Sequence, residues 1–215
     1  MDVLITGANR GIGAALLTGY RARGDRALGT SRAGDADLLP LDVTDASSHA
    51  ALAARLAGQP IDLLICNAGV YLDRHEALAD GYGPDLWALG LATNVTGVFL
   101  SIQSLLPHLR AAKAAKIAII SSQMGSSGRA SGGSYIYRAS KAAAVNLGRN
   151  LARDLAGDGI SVGIYHPGWV QTDMGGSGAS ITPEASAKGL IARFDALSPT
   201  TTGVFEAYDG QAMTF

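Results

Sequence analysis

The chain has 215 residues, with 17 Lys plus Arg against 18 Asp plus Glu, and its net charge of -1 exerts no pull toward nucleic acid or an anionic membrane. That length predicts one domain over 1–215 with a core of its own, and the single cysteine, Cys66, excludes an intrachain disulfide or a cysteine-rich metal cluster. The start MDVLITG lacks a basic segment ahead of a long apolar run, and no apolar run reaches the ~18 residues of a membrane span, so a cytoplasmic protein acting on small molecules is expected.

In chain order, short β-branched or apolar runs alternate with longer runs of helical period. VLIT is followed by a helix near 12–23, then ALGT, LLPL, a helix near 45–57 and IDLLIC. A long helix near 85–112, KIAIIS, a helix near 135–156, ISVGIY, a helix near 183–197 and GVFEAY complete the series. Strand and helix repeated in this way predict an α/β, doubly wound Rossmann-type domain, its mostly parallel sheet of about seven strands covered on both faces. Gly24, Gly58 and Gly157 stand where helices should stop, and Thr182-Pro183 reads as a cap followed by a first helical residue. The AAKAAK stretch reads as a helix end.

The first strand runs into Thr6-Gly7-Ala8-Asn9-Arg10-Gly11-Ile12-Gly13, which opens a helix. Glycines at such a turn let backbone N–H groups approach a pyrophosphate at the positive end of the helix. The spacing is G-x-x-x-G-x-G, and it resembles the TGxxxGIG signature of the short-chain dehydrogenase/reductase family. Four further motifs resemble that family in its order: Cys66-Asn67-Ala68-Gly69, Asn94 in NVTG, Tyr137 and Lys141 in YRASK, and Pro167-Gly168-Trp169-Val170-Gln171-Thr172. SSQMGS, GGSYIYRASK and YDGQAM are most similar to its C-factor and sniffer-type carbonyl reductase branch.

Helical geometry chooses between the two tyrosines of SYIYRASK. Residues four apart differ by about 40° around a helix, so Tyr137 and Lys141 share a face, whereas Tyr135 lies about 120° away and is expected to pack or line an entrance. A phenol titrates near ~10 and needs neighbouring positive charge to exchange protons at neutral pH. Lys141 and an oxidised nicotinamide are expected to supply it. Ser122, at the end of KIAIISS, is placed to hydrogen-bond a carbonyl. The family's usual serine-to-tyrosine spacing is shorter by about two residues and would select Tyr135; a loop absorbs such a difference and a helix does not. Ser121 and Ser126 are the substitutes for Ser122. Asn94, within a helix, reads as a kink or cap, and the resemblance gives it a water near Lys141 that leads protons to solvent.

At the second strand's end, Gly29-Thr30-Ser31-Arg32 holds no carboxylate to grip the adenine-side ribose of NAD, and Arg32 with Arg10 suits the extra phosphate of NADP. NADP(H) is therefore expected in preference to NAD(H). Asp42-Val43 resembles the family's adenine-contacting pair, and Asp42 reads equally as the entry cap of the next helix. The five residues between Arg32 and Leu38 are too few for a crossover helix, which predicts an open adenine end. The resemblance puts Gly7, Asn9, Gly11, Ile12, Gly13, Asn67, Ala68, Gly69, Pro167, Gly168, Val170 and Thr172 around the cofactor, the last two at the nicotinamide carboxamide. Trp169 and Met174 read as substrate-pocket walls, the following GGSGASI as a short mobile lid, His166 as structural and Cys66 as a buried apolar residue.

The expected activity is reversible reduction of a ketone or aldehyde by NADPH, with Tyr137 as general acid/base and Asn94, Ser122 and Lys141 beside it. The alternatives are a cofactor-sensing regulatory protein on the same fold and a nucleotide-sugar epimerase, for which the chain is short. The resemblance further implies a homodimer or homotetramer.

Overall fold

A computed structural model describes residues 1–35 and 37–215. Seven strands, β1 (Asp2–Ile5), β2 (Arg26–Ser31), β3 (Leu38–Pro40), β4 (Leu63–Cys66), β5 (Lys116–Ile120), β6 (Ser161–His166) and β7 (Phe205–Ala207), form one parallel sheet in the order 3-2-1-4-5-6-7. The chain reverses its direction of travel across the sheet between β1 and β4, which opens a crevice at the carboxyl ends of those two strands.

Side chains alternate across each strand, and both faces are apolar because both are covered. Leu4, Leu64, Ile117, Ile119 and Val162 pack toward α2 (Ala46–Arg55), α4 (Gly97–Arg110) and α5 (Tyr135–Asp154). Val3, Ile5, Leu63, Ile65, Ala118 and Tyr165 pack toward α1 (Gly11–Ala22) and α6 (Pro183–Ala196). Two-sided burial accounts for strands read as near-continuous hydrophobic runs.

The helix expected over 85–112 is in three parts: α3 (Pro84–Leu91), a π-helical turn over Ala92–Thr96 and α4. The wide turn falls at Asn94, whose amide is occupied away from the helix, and such inserted turns mark points where a side chain competes with the helical ladder. The whole stretch Pro84–Arg110 does have the length and composition of a membrane span, against the sequence reading, but Val98, Ile102, Leu105 and Leu109 bury one side of it in the core.

Other boundaries moved for local reasons. Gly157 does not end α5; the helix tightens into a 3-10 turn over Leu155–Asp158 and stops at Gly159, which has a left-handed φ of 72°. Asp45 rather than Asp42 caps α2, accepting the Ser47 N–H at 2.8 Å. The Thr182 hydroxyl accepts the Ala185 N–H at 3.2 Å with Pro183 following, as expected. Lys116 begins β5, as KIAIIS predicted, while the AAKAAK stretch lies past the end of α4; the Lys116 ammonium donates to the terminal carbonyls of Phe194 and Asp195 at 3.0 and 2.8 Å. Between β2 and β3 no helix occurs among the described residues; Ser31 Oγ accepts the Gly34 N–H at 3.0 Å to start the short link.

Candidate active site

The carboxyl ends of β1, β4, β5 and β6 bring together the glycine turn, Asn67, Ser122 and Pro167. Thr6 and Asn67 join the first two. Thr6 Oγ1 accepts from the backbone N–H of Asn67 and of Ala68 at 3.0 and 3.1 Å, and Asn67 Nδ2 donates to the carbonyls of Thr6 and Gly7 at 3.0 and 2.9 Å. A Cβ on Gly13 would collide with the Gly7 carbonyl and stand 2.6 Å from Asn67 Nδ2, so only glycine lets the turn close here. Arg10, at the N-cap of α1, offers no side-chain cap, and no acid stands in the first turn. The positive end of α1 thus faces the crevice with its N–H groups uncapped by side chains, a donor set that fits a pyrophosphate.

Tyr137 and Lys141 lie on one buried face of α5, as the four-residue spacing requires. The phenol is 8% exposed, and its hydroxyl donates to the Met174 sulfur at 3.9 Å. Burial pushes it up to about 12, against the lowering influence of the Ser122 hydroxyl. The Lys141 ammonium lies 5.6 Å from the Tyr137 ring centroid and donates to the Ile120 carbonyl at 3.0 Å. Burial pushes Lys141 down to about 8. Desolvation is the largest influence on both groups, and the second cation expected beside the phenol, an oxidised nicotinamide, belongs to the cofactor-bound state.

Ser122 is buried, and its Oγ accepts the Met124 N–H at 3.1 Å, which turns the chain at the end of β5. Its two substitutes are engaged elsewhere: Ser121 Oγ donates to the Lys141 carbonyl at 2.9 Å, and Ser126 Oγ meets Thr214 Oγ1 at 3.2 Å. Tyr135 is turned outward and packs edge-on to Tyr82. Asn94 is buried at the wide turn and is fully engaged through its side chain. Both its amide N–H groups are taken, by the Val70 carbonyl and by Ser140 Oγ at 2.9 Å each, and its Oδ1 accepts the Val70 N–H at 2.9 Å, so the side chain clasps Val70 to Ser140. Gly69 runs beside it; a Cβ there would lie 3.2 Å from Asn94 Oδ1 and 3.5 Å from Lys141 Nζ.

Two residues that the sequence reading passed over adjoin these. Tyr71 stacks on Tyr137 with centroids 4.2 Å apart, and Asp73, 1% exposed, accepts the backbone N–H groups of Ile136 and Tyr137. The one available signal was an acid and an aromatic just past Asn67-Ala68-Gly69, and nothing local distinguished them from ordinary loop residues.

At the other end of the crevice, the exposed Arg10 forms an ion pair with the exposed Asp173. Arg32 is exposed. Hydrogen bonds from Thr44 hold the Asp42 carboxyl below the usual carboxylate range, with the nearby Arg32 charge a smaller influence. Asp42 therefore orders the turn into α2, and Val43 beneath it is buried. After Pro167 and Gly168, Val170 is buried and bridges to Ile181. Thr172 Oγ1 accepts the Gly175 N–H at 3.1 Å, Arg74 donates to the Met174 carbonyl at 3.1 Å, and Trp169 Nε1 donates to the Gly175 carbonyl at 2.9 Å. The segment expected to be a mobile lid is thus folded back and tied at several points, with Met174 over Tyr137 and Trp169 half exposed beside it.

Cys66 is buried, and desolvation pushes its thiol up to about 12, as befits an apolar packing residue. His166 is buried with its Nδ1 unpartnered among the described residues, and burial pushes it down to about 4 from 6.5. Between those values the unfolded chain binds the proton and the folded one does not. Stability is therefore lost as pH falls from about 6.5 to 4, by about 3 kcal/mol in full. Thermal melts over that range should show a shallower loss for His166→Gln than for the parent.

The sequence matches the short chain dehydrogenase family over residues 2–180. It is 38% identical over 224 residues to the 1-hydroxy-2-glutathionyl-2-methyl-3-butene dehydrogenase of Rhodococcus sp. (strain AD45), covering 97% of this chain and 96% of the relative. It is 37% identical over 161 residues to the C-signal protein of Myxococcus xanthus, covering 74% of this chain and 96% of that one. Among solved structures, the NADPH-bound carbonyl reductase from chicken fatty liver superposes with a TM-score of 0.90 at 31% identity, over 100% of this chain and 98% of the other.

Proposed function

The chain belongs to the short chain dehydrogenase family, and from that premise we propose that it is an NADPH-dependent carbonyl reductase in which Tyr137 is the general acid. One observation carries the reading. A buried phenol on the face of Lys141, under the influence of the Ser122 hydroxyl, stands at the carboxyl edge of a parallel sheet beside an uncapped helix start.

Bound NADPH would supply the hydride, its pyrophosphate against the turn from Gly7 to Gly13 and its nicotinamide near Val170 and Thr172. The chain's own work is to place the carbonyl and deliver a proton. Ser122 orients the carbonyl oxygen, and Tyr137 gives its proton to that oxygen as negative charge develops there. Lys141 holds the ribose and keeps positive charge beside the phenol. Asn94 fixes Val70 and Ser140, and through them the walls of the site.

The NADP preference rests on Arg10 and Arg32, on the absence of a carboxylate in β2 and on the NADPH in the chicken relative. Arg32→Glu should shift the ratio of kcat/KM for NADPH over NADH toward NADH by at least about tenfold, since a phosphate would then face an acid. A steady-state panel of ketones and aldehydes with NADPH tests the activity itself. NADPH binding without turnover on any of them would favour the sensing alternative, to which the similarity to C-signal lends weight.

A further inference from the structure

The strap from Val70 to Asp73 is tied to the helix of Tyr137 at Tyr71 and Asp73 directly and at Val70 through Asn94. Val70 is held by Asn94 through both its N–H and its carbonyl, and the same amide reaches Ser140 Oγ, which donates to the Tyr137 carbonyl at 2.8 Å. The Tyr71 ring lies on the Tyr137 ring with an interplanar angle of 20°, and its hydroxyl is 2.6 Å from Ser134 Oγ. Asp73 completes the strap with Oδ2 2.7 Å from the N–H of Ile136 and its two oxygens 3.2 and 3.3 Å from that of Tyr137.

A helix usually caps its own start, but α5 does not. Its N-cap residue Ser134 sits in the left-handed region at φ 48°, ψ 46°, offers no side-chain cap and shares its hydroxyl's hydrogen bond with the Tyr71 hydroxyl. The first-turn N–H groups are instead met by a carboxylate 63 residues earlier in the chain. Among the described residues Asp73 has no ion-pair partner, so its buried charge is balanced by the N–H groups and the positive end of α5. A buried charge costs stability unless it is met in this way, and a plain serine cap would serve a helix equally well. The arrangement therefore fixes a position more than it strengthens a helix.

We propose that Tyr71 and Asp73 are positioning residues for proton transfer, Asp73 setting where the first turn of α5 stands and Tyr71 setting the plane of the Tyr137 ring, so that the phenolic oxygen stays directed at Ser122. The proposal rests on the reading of Tyr137 as the acid. Groups facing that phenol are Tyr71 and Asp73 from the strap, Ser122 from the end of β5, Lys141 from α5 and Met174 from the loop after β6. The Asp73 charge helps hold the phenol's proton, which gives the strap an electrical effect as well as a mechanical one.

The test compares Asp73→Asn, Tyr71→Leu and Tyr71→Phe with the parent and with Tyr137→Phe, in NADPH-dependent carbonyl reduction across pH. Circular dichroism monitors folding, and quenching titrations report NADPH binding. Asp73→Asn keeps the shape and removes the charge. Its kcat should fall about tenfold or more with KM for NADPH held within about twofold, and the alkaline midpoint of its kcat profile should move to lower pH. Tyr71→Leu should lower kcat about tenfold and Tyr71→Phe, which keeps the stacked ring, should restore most of it. Parental kcat and pH profile in folded Asp73→Asn, or equal kcat in the two Tyr71 variants, would overturn the proposal. If Asp73→Asn does not fold, the Tyr71 pair decides alone. Full activity in Tyr137→Phe would instead remove the acid assignment and leave the strap a matter of packing.

Discussion

Tyr137→Phe should lower carbonyl reduction by about 10³-fold in kcat while leaving NADPH binding and folding unchanged, because the positioned proton is worth that much and the ring is not what delivers it. Phenylalanine keeps the stack on Tyr71 and the buried face of α5, and the lost hydroxyl gives up its interaction with the Ser122 hydroxyl and a long contact to the Met174 sulfur at 3.9 Å. A change in stability under about 1 kcal/mol follows. The direction of the reaction also has a pH signature. With the phenol pushed up to about 12, about 10⁻⁵ of it is ionised at pH 7. The protonated form that reduction needs is then present throughout the neutral range, whereas the phenolate that alcohol oxidation needs grows tenfold per pH unit. Oxidation should therefore climb with pH where reduction is flat, until bound oxidised cofactor adds its own positive charge beside the ring. Stopped-flow traces with NADPH, and matched rates in both directions from pH 6 to 10, check the two halves separately; full reduction by the phenylalanine variant would place the acid elsewhere.

What the sequence made legible was local. Hydrophobic runs with two-sided burial located the strands, a Thr-Pro pair located the start of α6, and the four-residue step from Tyr137 to Lys141 chose the inward tyrosine over Tyr135. Each of these is decided within a few residues by backbone geometry. What was hidden depended on partners far along the chain. The cap on α5 comes from Asp73, the wide turn at Asn94 answers to Val70 and Ser140, and Lys116 is oriented by the end of α6. No pattern around Asp73 announces that it will be buried, since its environment is built by an element more than sixty residues away. The desolvation of Tyr137 and Lys141 was hidden for a related reason: spacing gives proximity, but burial is a property of the packed site.

Lys141→Met should separate stability from activity more sharply than any other single change. The ammonium is 5% exposed with one carbonyl partner at 3.0 Å, and its depression from 10.5 to about 8 means that at neutral pH the folded state carries a charge it holds poorly. A shift of that size corresponds to about 3 kcal/mol against folding at pH 7. The unfolded chain binds the proton more readily than the folded one between about pH 8 and 10.5, so this penalty is full below pH 8 and disappears as pH rises through that window. Methionine fills nearly the same volume without a charge. The variant should accordingly melt higher than the parent at pH 7, by up to about 3 kcal/mol in unfolding free energy, and the advantage should vanish toward pH 10.5. Carbonyl reduction should meanwhile fall by about 10²- to 10³-fold, with weaker NADPH binding, because the charge removed is the one beside the Tyr137 ring that the proposed function assigns to the ribose. Denaturant titrations at pH 7 and 10 and steady-state rates on the same preparations measure both. A variant less stable than the parent at pH 7 would show that the ammonium is held by more than the Ile120 carbonyl, and one that kept its activity would show that the phenol needs no cation from the chain.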